Sequence, residues 1–230
     1  MPANDPSNGT LQPVRVWDLP TRLFHWLLAL VVISAVVSGH LDAMEWHVRF
    51  GLVACGLLIF RIVWGFVGGR WSRFSSFAYG PATVKRYLRG ESRPQEHLDV
   101  GHNPLGAFSV FALLALLVVQ VATGLVADDE VATTGPLNRF VANATAQKAT
   151  AWHHEVGQWL LILLVLLHVG AIVFYKVKKQ QNLVPPMLNG DKLLPPGTPP
   201  SADGLASRVL ALALFLAAFG VVGWIWKLGT

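Results

Sequence analysis

Five stretches of this chain are long and apolar enough to cross a bilayer, and they limit the fold more than any motif does. They run Leu19–Leu41, His47–Val67, Pro104–Val126, His153–Tyr175 and Leu205–Trp226. About twenty helical residues span the roughly 30 Å of hydrocarbon. Within that layer every backbone amide needs an internal partner, so the expected class is all-α, an integral membrane helical bundle. Composition agrees: of 230 residues, 53% are hydrophobic and 13% charged, against about 25% charged in soluble domains.

The charges sort by side. Arg15 and Arg22 flank the start of the first span. Arg70, Arg73, Lys85, Arg86, Arg89 and Arg93 follow the second, and Lys176, Lys178, Lys179 and Lys192 follow the fourth. The alternate loops are acidic, with Asp42, Glu45, Asp128, Asp129 and Glu130 against Arg139 and Lys148. Basic loops stay inside. The expectation is a multi-pass protein of the inner membrane, N-terminus cytoplasmic and C-terminus periplasmic, with Lys227 a small exception. The net charge of +5 therefore reflects loop topology, and the partner it implies is membrane lipid, with no nucleic acid. Cys55 is the single cysteine, so no internal disulfide forms. No CxxCH, Walker loop or GxGxxG motif occurs, which argues against covalent haem and nucleotide binding. The first span also has the layout of a signal peptide. Its polar lead is long for one, and cleavage would discard His25.

The organisation expected is a cytoplasmic tail (1–18), a four-helix transmembrane domain (19–178), a Pro-rich cytoplasmic linker (179–204) and a fifth transmembrane helix (205–230). Histidines fall at two depths in the four-helix part. His25 lies about six residues into the first span and His168 about seven from the inner end of the fourth, so they share the inner level. His47 opens the second span and His154 the fourth, both at the outer level. Fourteen residues separate His154 from His168, about 21 Å of helix rise, and leave their side chains about 40° apart around the axis. His153 would be offset about 60° the other way and is the weaker candidate. Two imidazoles at one level, twice, suit two non-covalent bis-histidine b haems. Zinc binding and proton relay are the alternatives. Zinc prefers a compact cluster. Gly51, Ala54, Gly56, Gly124, Gly157 and Gly170 offer room for a flat macrocycle.

Other polar residues enter the apolar layer. Arg61 is a charge at membrane depth, level with the inner haem, and fits a propionate or a quinone headgroup. Snorkelling to the interface is the alternative. Arg22 is a second such candidate, nearer water. Asn103 and Pro104 suit a helix start. With Gly106 they also suit a quinone pocket beside the inner haem, Asn103 donating a hydrogen bond.

Several stretches carry a family resemblance: "WDLPTRLFHW" opening the first span, "RIVWGFVGGRWSRFSSF" ending the second, "GHNPLGAFSV" before the third, the histidines of the fourth, and "NLVPPMLNGDK" after it. Together, from about Val14 to Lys192, the chain resembles the prokaryotic cytochrome b-561 and hydrogenase-type b cytochrome group. The resemblance implies an integral diheme protein passing electrons between a quinone pool and a redox partner such as a hydrogenase, a c-type cytochrome or a dehydrogenase. It implies His25 with His168 on the inner haem and His47 with His154 on the outer one. An electron-transfer subunit is expected over a stand-alone enzyme, whose substrate would be a small reductant such as superoxide. A non-redox transporter or scaffold is the remaining reading. The fifth span has no histidine and is expected to pack or to dock a partner.

Overall fold

In the computed structural model, which describes residues 10–93, 96–131 and 133–229, the apolar stretches are helices. A short strand, β1 (Gln12–Arg15), precedes α1 (Leu19–His40) and α2 (Met44–Val67). The amphipathic α3 (Pro81–Arg89) leads to α4 (Pro104–Val126). Then α5 (Asn143–Ala151), a π-helical turn (Trp152–Gly157) and α6 (Gln158–Lys178) run on as one long helix. Next come α7 (Val184–Asn189), β2 (Asp191–Leu194) and α8 (Leu205–Gly229). The result is an all-α membrane bundle with five helices long and apolar enough to cross a membrane among the described residues. Of the tail expected at 1–18, residues 1–9 lie outside the described ones.

The helix starts follow local chemistry. Asp18 caps α1 by accepting from the Thr21 amide at 2.8 Å, with Pro20 in the first turn. Asn103 caps α4 by accepting from the Gly106 amide at 2.8 Å, and Pro104 follows at the position where its missing N–H costs nothing. Gly90 ends α3 at φ 75° and Gly190 ends α7 at φ 93°, left-handed positions that glycine adopts without strain.

Helix α2 is the centre. Over half of its apolar window, 56%, is buried, against 6% for the long helix containing α6. It packs on α1, α4 and α8. Lipid tails are as apolar as leucine, so such contacts rest on close fit more than on water exclusion. Gly56 shows this, since a methyl group there would stand 2.9 Å from the ring of Phe219 on α8. Gly56 therefore makes room for the fifth span and not for a macrocycle. On the other side, α6 rests on α4 and α2 through Leu161, Leu117 and Leu58. The backbones of α1 and α6 make few close approaches, and a methyl group on Gly51 or Gly170 would meet nothing within 4 Å.

A polar latch holds the Asp18 end. β1 pairs antiparallel with β2, Arg15 opposite Asp191. Arg15 forks to Asp191 and to Asp203, each at 2.7 Å. Asp203 also accepts from the Leu19 amide at 3.0 Å and from Arg208 at 3.2 Å, joining the starts of α1 and α8. The segment expected as a Pro-rich linker thus carries α7 and β2 and is tied down further by Trp71, whose indole donates to the Pro199 carbonyl at 2.9 Å. Beneath the latch Asp18 is fully buried, accepting from Ser72 at 2.6 Å and Trp64 at 3.2 Å.

Candidate functional site

Two pairs of imidazoles face each other across the bundle. At the level near the latch, His25 of α1 and His168 of α6 stand with ring centroids 6.4 Å apart and planes at 52°. At the far level, His47 of α2 faces His153 of the π-turn at 5.8 Å and 89°. Two imidazoles on opposite sides of one metal ion, each nitrogen about 2 Å from it, would have centroids about 6 Å apart.

The far pair is positioned by its surroundings. The His47 Nδ1–H donates to the Ala35 carbonyl at 2.8 Å, and the His153 Nδ1–H to the Gln120 carbonyl at 2.8 Å. A carbonyl can only accept, so each Nδ1 carries the proton and each Nε2 keeps its lone pair. This is the arrangement that orients histidine toward a metal. A glycine stands behind each ring. A methyl group on Gly39 would lie 3.0 Å from His47 Nδ1, and one on Gly124 would lie 2.9 Å from His153 Cε1.

His154 does not share this arrangement. It is exposed on the outside of the helix, and the structure brings His153, not His154, to His47. The π-turn is the cause. A π-turn takes up one extra residue, so the fifteen steps from His153 to His168 rotate like fourteen of an α-helix. That puts His153 about 40° from His168 and turns His154 about 140° away. The turn is wedged by α4: Gln120 Nε2 donates to the His153 carbonyl at 2.7 Å. A methyl group on Gly157 would lie 2.0 Å from Gln120 Oε1, so only glycine fits there. Gln120, the largest polar side chain inside the third apolar stretch, was the visible signal for this contact. Gly39 carried none.

Around the His25 level lie buried polar atoms without hydrogen-bond partners among the described residues: His25 Nδ1, Arg22 Nε, Arg61 Nη1 and His102 Nδ1. Arg61 is only 3% exposed, so it does not snorkel. Its Nη2 donates to the Ser72 carbonyl at 3.2 Å, and its guanidinium lies 4.8 Å from the Phe74 ring centroid. Arg22 donates to the Leu188 carbonyl at 2.5 Å. His102 sits between Trp17 and Phe77, with centroids 4.7 and 4.6 Å away. Asn103 Oδ1 accepts from the Gly106 amide, and its Nδ2 donates to the Tyr175 hydroxyl at 2.7 Å. Tyr175 is a residue that sequence reasoning passed over. The ring spacings and the unpartnered Arg61 nitrogen fit an anionic, metal-bearing macrocycle. Among the described residues no three or more His, Cys, Asp or Glu side chains group as for a bare metal ion.

A lipid-facing bundle with imidazoles paired across its interior is the design of a membrane cytochrome. Residues 16–190 match the family model described as prokaryotic cytochrome b561, and the chain belongs to that family. It is thus a multi-pass membrane cytochrome of b type, a class that carries haem b and transfers electrons. The match ends before α8. Among its relatives is a protein of Bradyrhizobium diazoefficiens, 26% identical over 216 residues, covering 78% of this chain and 85% of the relative. Another, from Rhodobacter capsulatus, is 27% identical over 221 residues, covering 78% and 81%. Both are named as probable Ni/Fe-hydrogenase B-type cytochrome subunits. A relative in Escherichia coli K12, 26% identical over 211 residues and covering 76% and 88%, is named as a probable Ni/Fe-hydrogenase 1 B-type cytochrome subunit.

Proposed function

We propose that this chain carries electrons between a quinone in the membrane and a redox partner protein through two b haems, each held by two histidines. The partner class favoured is a hydrogenase, because the relatives are named as cytochrome subunits of such enzymes. The observation that carries the reading is the pair of imidazole pairs, His25 with His168 and His47 with His153, at two depths of one bundle. His153 takes the place that straight-helix geometry assigns to His154.

Each residue has a distinct task. Ala35 and Gln120 hold the far imidazoles by their Nδ1–H groups, leaving Nε2 free for iron. Arg61 is buried with one nitrogen unpartnered and suits a propionate oxygen. Arg22 supplies a second cation at that level. Haem iron with two imidazole ligands cycles one electron at a time and leaves no open position for oxygen. The basic loops favour a cytoplasmic position, at the inner membrane, for the His25 level. The quinone is assigned to that side, against Asn103 and Gly106, where the second Asn103 amide hydrogen remains available.

Haem content tests the reading. The purified protein should release all its haem into acid–acetone, and pyridine haemochrome should return about two haems per chain, with two steps in a redox titration. One haem per chain would remove one pair from the scheme.

A further inference from the structure

The hydroxyl network beside Asn103 assigns a role to Tyr175 that rests on the quinone reading above. Tyr175 lies seven residues after His168 on α6, two turns on, within about 20° of the same face and about 10 Å nearer the basic end. Asn103 Oδ1 accepts from the Gly106 amide, which fixes the orientation of its side chain. Asn103 Nδ2 must then be the donor to Tyr175 at 2.7 Å. The Tyr87 hydroxyl of α3 lies 3.1 Å from the Tyr175 hydroxyl. When Tyr87 donates, both lone pairs of Tyr175 are filled, and the Tyr175 hydrogen has no acceptor in this network. That hydrogen is left for a ligand oxygen. Behind it, Tyr87 stands on the basic α3, outside the spans. Burial first, then its bond to Tyr175, raises the Tyr87 phenol above its ordinary value, so it stays protonated at neutral pH.

We infer that Tyr175 is the proton donor to the quinone, that Tyr87 refills it from the cytoplasmic side, and that Asn103 holds its hydroxyl in place. A quinone becomes a quinol by gaining two electrons and two protons. The electrons come from the cytochrome. For each proton, the Tyr175 O–H bond breaks and an O–H bond forms on a quinone carbonyl oxygen. The Tyr87 hydrogen then passes to Tyr175, and water replaces it on Tyr87. Two passes complete one quinol, and the same steps reversed serve quinol oxidation.

Stopped-flow oxidation of the reduced holoprotein tests this. Menadione takes electrons with protons, whereas ferricyanide takes an electron alone. The ratio of the two rates therefore reports the proton step. Tyr175→Phe keeps the ring and removes the hydrogen. It should lower the ratio at least about tenfold, since a positioned general acid contributes on the order of 10²–10⁴-fold. It should also abolish the solvent deuterium effect on the menadione rate. Tyr87→Phe should lower the ratio less and shrink the same isotope effect. Wild-type ratios and isotope effects in both variants would overturn the relay. If Tyr175→Phe fails to assemble its haems, Tyr87→Phe decides by the same two readouts. A wild-type protein that menadione does not oxidise would overturn the quinone reading and the relay with it, which separates the two failures.

Discussion

His47 and His153 are held alike: a backbone carbonyl on each Nδ1 and a glycine behind each ring. A ligand held this way loses little freedom on binding iron, because its ring is already aimed. Its neighbour His154 is exposed and has no such frame. The substitutions should therefore separate sharply. His153→Ala is expected to lose one of the two proposed haems, and His47→Ala the same one, with the double variant losing no more than either. His154→Ala is expected to keep both. Redox titration of each variant, read for the missing step, is the check; loss of a haem in His154→Ala with retention in His153→Ala would return the ligand to His154.

At the scale of the element, the π-turn is the device that aims His153. It uses one residue more than an α-helix needs for the same rotation. Removing a residue within it should let the helix regularise while His153 keeps its direction. Deleting Val156, which is 41% exposed, is expected to leave haem content near the wild-type value. Deleting Leu163, beyond the turn, would swing His153 about 100° relative to His168 and should cost a haem. Pyridine haemochrome per chain decides, and equal loss from both deletions would deny the turn this role. Helix α8 shows a different element-scale device. It lies outside the family match yet shields the centre of α2, because Gly56 lets Phe219 approach.

For the whole molecule, the latch joins parts far apart in sequence. Asp203 is its hub, bonded to Arg15, Arg208 and the Leu19 amide. Burial alone would raise its carboxyl. The hydrogen bonds from Arg208 and Leu19, with the charges of Arg208 and Arg15, outweigh that and hold it below its ordinary value. A carboxyl depressed in the folded state adds stability that is fully present above its unfolded value of about 3.9 and is lost as pH falls through the folded one. Asp203→Asn should therefore lower the thermal midpoint at pH 7, and the gap from wild type should close below about pH 4. Thermal scans of the detergent-solubilised holoprotein at pH 7, 5 and 3.5 measure it. A gap that stayed constant with pH would assign the loss to packing.

The sequence alone determined the class, the five crossings and the two histidine depths. Hydrophobic length and position along a span are one-dimensional, and Leu19–His40, Pro104–Val126 and the rest can be read straight off the order of residues. Direction around the helix axis is not one-dimensional. It adds up every turn between two residues, so one π-turn suffices to exchange His154 for His153. That turn depends on Gln120 of another helix meeting Gly157. The tertiary structure likewise decided that Arg61 is buried with no counter-charge bonded to it among the described residues, that Tyr175 reaches Asn103, and that the Pro-rich segment returns to pair with β1. The Asn103–Tyr175 bond joins residues 72 positions apart, the strand pairing joins residues 176 to 182 apart, and the burial of Arg61 depends on which neighbours close around its side chain; hydropathy carries no record of either kind of contact.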